Sequence, residues 1–469
     1  MKQRFIEAEN KYRTKVSQDP WRLSYHLMPM VGWLNDPNGL CQFQGTYHIF
    51  YQYSPEDANG GSKGWGHYST KDFLHFIQEE NALFPDSEID KDGAYSGSAF
   101  VDQEHIHFFY TGNIKFEGDF DYINKGRGHY LNYFSSCDGL HFSEKECLLK
   151  NENYPQNMSC HVRDPKVYQE DEQYYLVMGA RTQESVGCLL IYKSQDLKNW
   201  HYHRTLTTKE KFGYMWECPD LFKLEDQLIL ITCPQGVQQD GYQYENIYQN
   251  GYFMIDGTLE DNCRFSNFVE LDYGFDFYAP QTFEDESGRR IMIGWMGLPD
   301  IPYTNPTVDN SWQHALTLPR ELTIKNGHIF QYPIQETEQL RIKHYSKHLT
   351  PNETYDYQTH ICQLHLVLQQ QSFEVKLRKD VTLKYAQQLF TLSLKESGYG
   401  RDERHVEIGN VQSIDIYSDS SSLEIFINDG EKVLTTRVYD SKEDTRIEAS
   451  CEMSLDIYVM KGYQIKKRK

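Results

Sequence analysis

No Cys-x-x-Cys pair occurs in this sequence, and its ten cysteines are scattered from Cys41 to Cys451. That spacing excludes a zinc knuckle and a dense disulfide framework, so the thiols are read as reduced packing residues. No stretch approaches the ~18 apolar residues that a membrane-spanning helix needs. Met1 to Val16 is charged throughout and lacks the apolar segment of a secretory signal, so a cytoplasmic protein is expected. Basic side chains are also in short supply, 47 against 68 acidic ones, for a formal net charge of -21. Such a surface repels nucleic acid and anionic membranes, and an anionic ligand would need a local basic patch. No cofactor and no metal is expected, and the oligomeric state is left open.

Aromatic residues, by contrast, are abundant, with 35 Tyr and 25 Phe among 469 residues. They favour strands and surfaces on which sugar rings stack, so the class expected is all-β. The length calls for two domains. Residues 1–20 open with a short amphipathic helix, Met1 to Gln18, with Phe5, Ile6, Tyr12 and Val16 as its apolar contacts, serving as a lid or clasp.

From 21 to 330 the chain repeats itself. Strand segments at Tyr47–Tyr51, Ile106–Tyr110, Tyr174–Met178, Leu228–Thr232 and Arg290–Trp295 recur at intervals of about 55 to 70 residues, the period of propeller blades with generous loops. A second echo follows the first three. Ser69–Phe76, Ser135–Phe142 and Ser194–Trp200 share a polar turn with Asp and then an aromatic anchor, which reads as a staple between blades. Beyond Arg320 the texture changes. Residues 331–345 form a linker with a short helix, and 346–469 alternate as strands, including a hairpin at Leu423–Ile427 turned by Asn428-Asp429-Gly430. The fold expected is a five-bladed β-propeller followed by a C-terminal β-sandwich, and the sandwich is assigned no chemistry.

Three acidic motifs sit at comparable places in the repeat: Trp33-Leu34-Asn35-Asp36-Pro37-Asn38-Gly39, Arg163-Asp164-Pro165 and Trp216-Glu217-Cys218-Pro219. Their Asn, Asp, Pro and Gly content is turn chemistry. Turns at one end of a propeller bring residues from different blades together, Asp36 from the first, Asp164 from the third and Glu217 from the fourth. Two carboxylates flanking a glycosidic bond suffice for its hydrolysis. Asp36, among Asn35, Asn38 and turn amides, is expected to stay ionised as the nucleophile. Glu217, between Trp216 and Cys218, is expected to be desolvated with a raised pKa as the acid/base, and Asp164, beside Arg163, to stay charged as a stabiliser.

With Tyr51-Gln52-Tyr53, Trp65-Gly66-His67, Tyr95-Ser96-Gly97-Ser98-Ala99 and Phe277-Tyr278-Ala279-Pro280-Gln281, these motifs resemble, in order, those of the invertase-type glycoside hydrolases of family 32. The likeness runs over nearly the whole chain. It implies hydrolysis of β-fructofuranosides with retention, the three acids in the roles given, and a fructose pocket lined by Asn35, Gln52, Trp65, Tyr95, Ser96, Arg163 and Trp295. Tyr95 stands where many relatives carry Phe. Cys233-Pro234-Gln235-Gly236 and Asn246–Asn250 are similar to the branch acting on sucrose 6-phosphate, with a plain invertase or short fructo-oligosaccharide hydrolase as the alternative. Lys125, Arg127 and Arg181 follow inner strands in loops within reach of the glucose end, and so are candidates for a phosphate. An inverting pentosidase, whose carboxylates stand ~6.5–9.5 Å apart rather than ~5–5.5 Å, and a noncatalytic sugar-binding propeller are the readings from other classes.

Overall fold

The computed structural model describes residues 1–368 and 370–468. Five antiparallel sheets succeed one another between residues 32 and 333. Their first strands are Gly32–Phe43, Ala94–Val101, Met158–Glu170, Met215–Leu224 and Tyr278–Glu284. These touch in a closed circuit, each against the next and the last against the first, and so form the inner strands of a β-propeller. Each recurring apolar segment of the sequence is the second strand of one sheet, Thr46–Ser54 in the first and Arg290–Met296 in the last. Those second strands are buried along most of their length, which is why they read as continuous apolar runs. The ring is tied by a parallel pairing in which Trp312 and Gln313 add to Gly32 and Trp33.

The echoed turns are one structure built three times. Asp72, Asp138 and Asp196 each cap two backbone amides, those of Leu74 and His75, Leu140 and His141, and Lys198 and Asn199, at 2.8–3.0 Å. The turns join the third and fourth strands within a sheet. In the second and third copies the aromatic anchor reaches the preceding sheet, Phe142 packing 6.2 Å from Phe50 and Trp200 5.9 Å from Phe109.

The helix spans Lys2–Ser17 and lies on the first sheet, with Phe5 buried between Tyr53 and Phe84. Phe5, Ala8, Glu9 and Val16 share its buried face, and Ile6, one residue off that stripe, is exposed, contrary to the contact expected from sequence. The helix is a clasp rather than a lid, since none of its residues reaches the pocket described below. Among the described residues no helix is long and apolar enough to cross a membrane.

Two six-stranded sheets, running from Arg341–Leu349 to Met453–Met460, pack face to face over Leu364, Val375, Ile416 and Ile425. Their connector differs from the expected linker. Residues up to Pro333 still belong to the last propeller sheet, and a 3-10 helix occupies Gln335–Leu340. The tail does not end in the sandwich either, because Gln464–Lys467 returns to pair in parallel with His75–Gln78 of the first sheet.

Buried ions lock the sandwich to the propeller. Arg320 donates to Glu424 at 2.5 Å, to Asp272 at 3.1 Å and to the Thr435 hydroxyl at 2.6 Å. Arg401 holds Asp276 with its Nε at 2.7 Å. Burial opposes a charge on His26, but bonds to Asp419 and Glu424 lift its pKa to about 9. Arg320→Met leaves two buried carboxylates short of a partner, so we expect a stability loss of about 3–5 kcal/mol in urea unfolding. A loss below ~1 kcal/mol would contradict this account of the interface.

Candidate active site

The three acids do not sit in turns. Each lies within an inner strand, where the ladder to its neighbour slips out of register. The slips fall between Leu34 and Pro37, Ala94 and Gly97, Arg163 and Lys166, Glu217 and Asp220, and Tyr278 and Gln281. Bulges and turns draw on the same residues, because both need backbone that a regular ladder forbids. The proline after Asp36, Asp164, Cys218 and Ala279 fits there, since a bulged position has no amide to give the ladder. Asp164, Cys218 and Ala279 have φ of +61°, +47° and +47°, conformations costing about 1–3 kcal/mol each that cluster at functional sites. Five bulges on five adjoining strands turn their side chains into one space.

Asp36 is held by a relay. Asn35 Nδ2 donates to its Oδ1 at 3.0 Å and the Ser96 hydroxyl donates to its Oδ2. Asn35 in turn accepts from the Trp33 indole N–H at 2.7 Å and donates to Gln52 Oε1 at 3.0 Å, and Gln52 Nε2 donates to Ser96 at 2.7 Å. Asn38 takes no part and instead accepts from the Gly97 amide at 3.3 Å. Burial, reinforced by nearby Glu217 and opposed by Ser96 and Asn35, holds the Asp36 carboxyl above its ordinary pKa.

Glu217 is not in the apolar setting expected from its neighbours. Along a strand successive side chains point to opposite faces, so Trp216 turns into the core, packed against Phe253 and bonded to the Phe212 carbonyl. Glu217 faces the pocket, where Arg163 donates to Oε1 at 2.6 and 3.1 Å, and Gln235 and the Tyr278 hydroxyl donate to Oε2 at 2.7 Å each.

Asp164 also departs from expectation. Arg163 spends its fork on Glu217 and stands 4.0 Å from Asp164, so burial prevails and pushes Asp164 up to about 7, with Arg163 opposing and the other two acids reinforcing. The Cys218 amide donates to it at 2.9 Å. The Cys218 thiol lies between the aspartates, 3.7 Å from Asp36 and 3.6 Å from Asp164, and burial beside these carboxylates keeps it protonated.

The acids share a pocket of about 260 Å³ with Asn35, Gln52, Tyr95, Ser96, Arg163 and Trp295. Trp65 is a correction. It is fully buried among Phe50, Phe108, Tyr110 and Phe134, and its indole N–H donates to the Tyr95 carbonyl at 3.1 Å, so it braces the second bulge from behind. Of the three proposed phosphate contacts only Arg127 reaches the wall. Lys125 is exposed on its loop, and Arg181 stacks on Tyr214 and bonds to Ser185. Reading the sequence missed Trp33, Lys63 and Tyr278 on the wall, and Gln235 behind Glu217. Trp33, Tyr278 and Gln235 fell within motifs and could have been found there. Lys63 carries no signal beyond its place two residues before Trp65.

A propeller whose inner-strand bulges gather three carboxylates in one pocket, joined to a β-sandwich, has the parts of a glycoside hydrolase. Residues 26–333 match the glycosyl hydrolases family 32 N-terminal domain and 336–459 the family 32 C-terminal domain. The chain belongs to the glycoside hydrolases of family 32. It is 36% identical to a sucrose-6-phosphate hydrolase of Bacillus subtilis (strain 168), over 98% of both chains. Among solved structures it is similar to a sucrose-6-phosphate hydrolase of Lactobacillus gasseri, with a TM-score of 0.89 and 30% identity over 98% of this chain and 97% of the other. It is also similar to a Bombyx mori β-fructofuranosidase variant in complex with sucrose, with a TM-score of 0.87 and 28% identity over 99% of both.

Proposed function

We propose that this pocket hydrolyses the β-fructofuranosidic bond of sucrose 6-phosphate or sucrose with retention and releases fructose, the chemistry residing in residues 21–330. The observation that carries the reading is the convergence of Asp36, Asp164 and Glu217, from three different strands, on one small pocket. Asp36, oriented at both oxygens by Ser96 and Asn35, attacks the anomeric carbon. Glu217 gives its proton to the leaving oxygen, and the fructosyl unit passes to Asp36. Glu217 then takes a proton from the water that releases it. A leaving oxygen at Glu217 takes the place of one of its four donors. Asp164 holds sugar hydroxyls as positive charge develops on the ring. Asn35, Gln52, Ser96, Tyr95, Arg163 and Trp295 bind the fructosyl unit, and the Trp33–Trp295 pair, 5.8 Å apart, gives it an apolar wall.

The relatives named for sucrose 6-phosphate and the presence of Arg127 on the wall support a phosphorylated substrate. A cytoplasmic enzyme meets sucrose in that form wherever uptake phosphorylates it. A charge-assisted bond from Arg127 contributes about 1.5–3 kcal/mol, so kcat/KM at low salt should favour sucrose 6-phosphate over sucrose by about one to two decades. Arg127→Met should reduce that preference. Equal kcat/KM for the two sugars in the unmodified protein would move the reading to a plain β-fructofuranosidase, with the same acids.

A further inference from the structure

Lys63 is a cation on the pocket wall that makes no ion pair with any described residue. It ends the loop before the strand Gly64–Thr70, and its carbonyl accepts from the Ala94 amide at 2.9 Å, which ties it to the start of the bulge carrying Tyr95 and Ser96. Its ammonium lies 4.4 Å over the Trp33 indole, a cation–π contact, and has no hydrogen bond or ion pair with any described residue. Gly60, at φ +92°, leaves the ammonium its space, because a Cβ there would stand 3.1 Å from Nζ. Asp36 is the pocket acid near Lys63, yet its oxygens are taken by Asn35 and Ser96 and it makes no ion pair with the lysine. Lys166, which is buried, is paired with Asp220 at 3.3 Å, and half-buried Lys145 with Asp90 at 2.8 Å. A half-buried cation without an ion-pair partner is held at a cost that an anionic ligand would offset. A neutral disaccharide supplies no counter-charge, whereas a phosphate does.

We propose that Lys63 is a specificity-determining residue that, together with Arg127, receives the phosphate of a phosphorylated leaving sugar. This rests on reading the pocket as a β-fructofuranosidase site. Burial brings the free lysine down to about 7 against the pull of Asp36. Its charge is therefore present below pH 7 and lost above it. The charge that acts on Lys63 is that of Asp36, on the first inner strand, and His314, which burial keeps neutral, lies against the edge of Trp33; Arg127, Arg163, Asp164 and Glu217 share the pocket wall. The sugar phosphate is already a dianion over this range, its second pKa lying near ~6.

The test is kcat/KM for sucrose and sucrose 6-phosphate from pH 7 to 9, in the unmodified protein, Lys63→Met and Lys63→Arg. Lys63→Met should lower the value for sucrose 6-phosphate by about 10- to 100-fold and that for sucrose by a much smaller factor. The unmodified protein should lose preference for the phosphate as pH rises, and Lys63→Arg should keep a preference that pH does not change. Equal losses on both sugars in Lys63→Met, or an undiminished preference, would overturn the assignment, as would equal rates on the two sugars in the unmodified protein. Failure of the unmodified protein to hydrolyse either sugar would instead sink the β-fructofuranosidase reading itself.

Discussion

Asp36→Asn should lower kcat on sucrose or its phosphate by about 10³-fold or more, at least ~4 kcal/mol in barrier terms. Asparagine keeps the shape of the side chain and can still accept from Asn35 Nδ2, while the Ser96 hydroxyl can turn to accept from the new amide. The bulge therefore stays formed, and far-UV circular dichroism and the unfolding midpoint should change little. What disappears is the attacking charge. In the unmodified protein the buried carboxyl sits above its ordinary pKa, so the acid limb of activity should also lie above the usual carboxylate range, with activity lost as pH falls through it. Three acids in one pocket titrate together, so that limb belongs to the set rather than to Asp36 alone. A variant retaining a tenth of the original rate would remove Asp36 from the role of nucleophile.

Glu217→Ala should show the second largest effect, of a different kind. Natural sugars need a proton on the leaving oxygen, whereas an aryl fructoside with an acidic phenol does not. The variant should therefore lose about 10²–10⁴-fold on sucrose, the usual worth of general acid–base catalysis, and far less in the first step with the aryl substrate. Azide, which needs no general base, should accelerate turnover of the aryl substrate. The truncation also frees Arg163, Gln235 and Tyr278, whose bonds to Glu217 span 2.6–3.1 Å. Some loss of binding is expected with both substrates, and the difference between them is the diagnostic quantity. Equal losses without azide rescue would make Glu217 a binding residue only.

The propeller strands were legible because each sheet buries its second strand, and burial writes an apolar run into the sequence. The acids were legible as motifs, but their setting was not. Asn-Asp-Pro-Asn-Gly spells a turn and a bulge alike, and only the pairing of Leu34 with Tyr53 and Pro37 with Tyr51 tells them apart. Neighbours in sequence also misled. Trp216 adjoins Glu217 yet faces the core, because alternation along a strand separates successive side chains, whereas Arg163 and Asp164 both reach the pocket at a bulge and Arg163 spends its fork on Glu217. The tryptophans divide similarly, with Trp33 and Trp295 on the pocket wall and Trp65 behind it. Lys63 was invisible, since a lysine in a loop has no motif and only the fold over Trp33 gives it meaning.

The account stands most directly on a covalent fructosyl group at Asp36. Glu217→Ala, mixed with an aryl fructoside and quenched without azide, lacks the base that activates water and should accumulate that intermediate. Digestion and tandem mass spectrometry should then find one fructosyl unit on the peptide containing Trp33 to Gly39, located at Asp36 and absent from Asp36→Asn treated in the same way. A fructosyl unit on any other side chain, or complete turnover of the aryl substrate with no covalent adduct at any quench time, would contradict it.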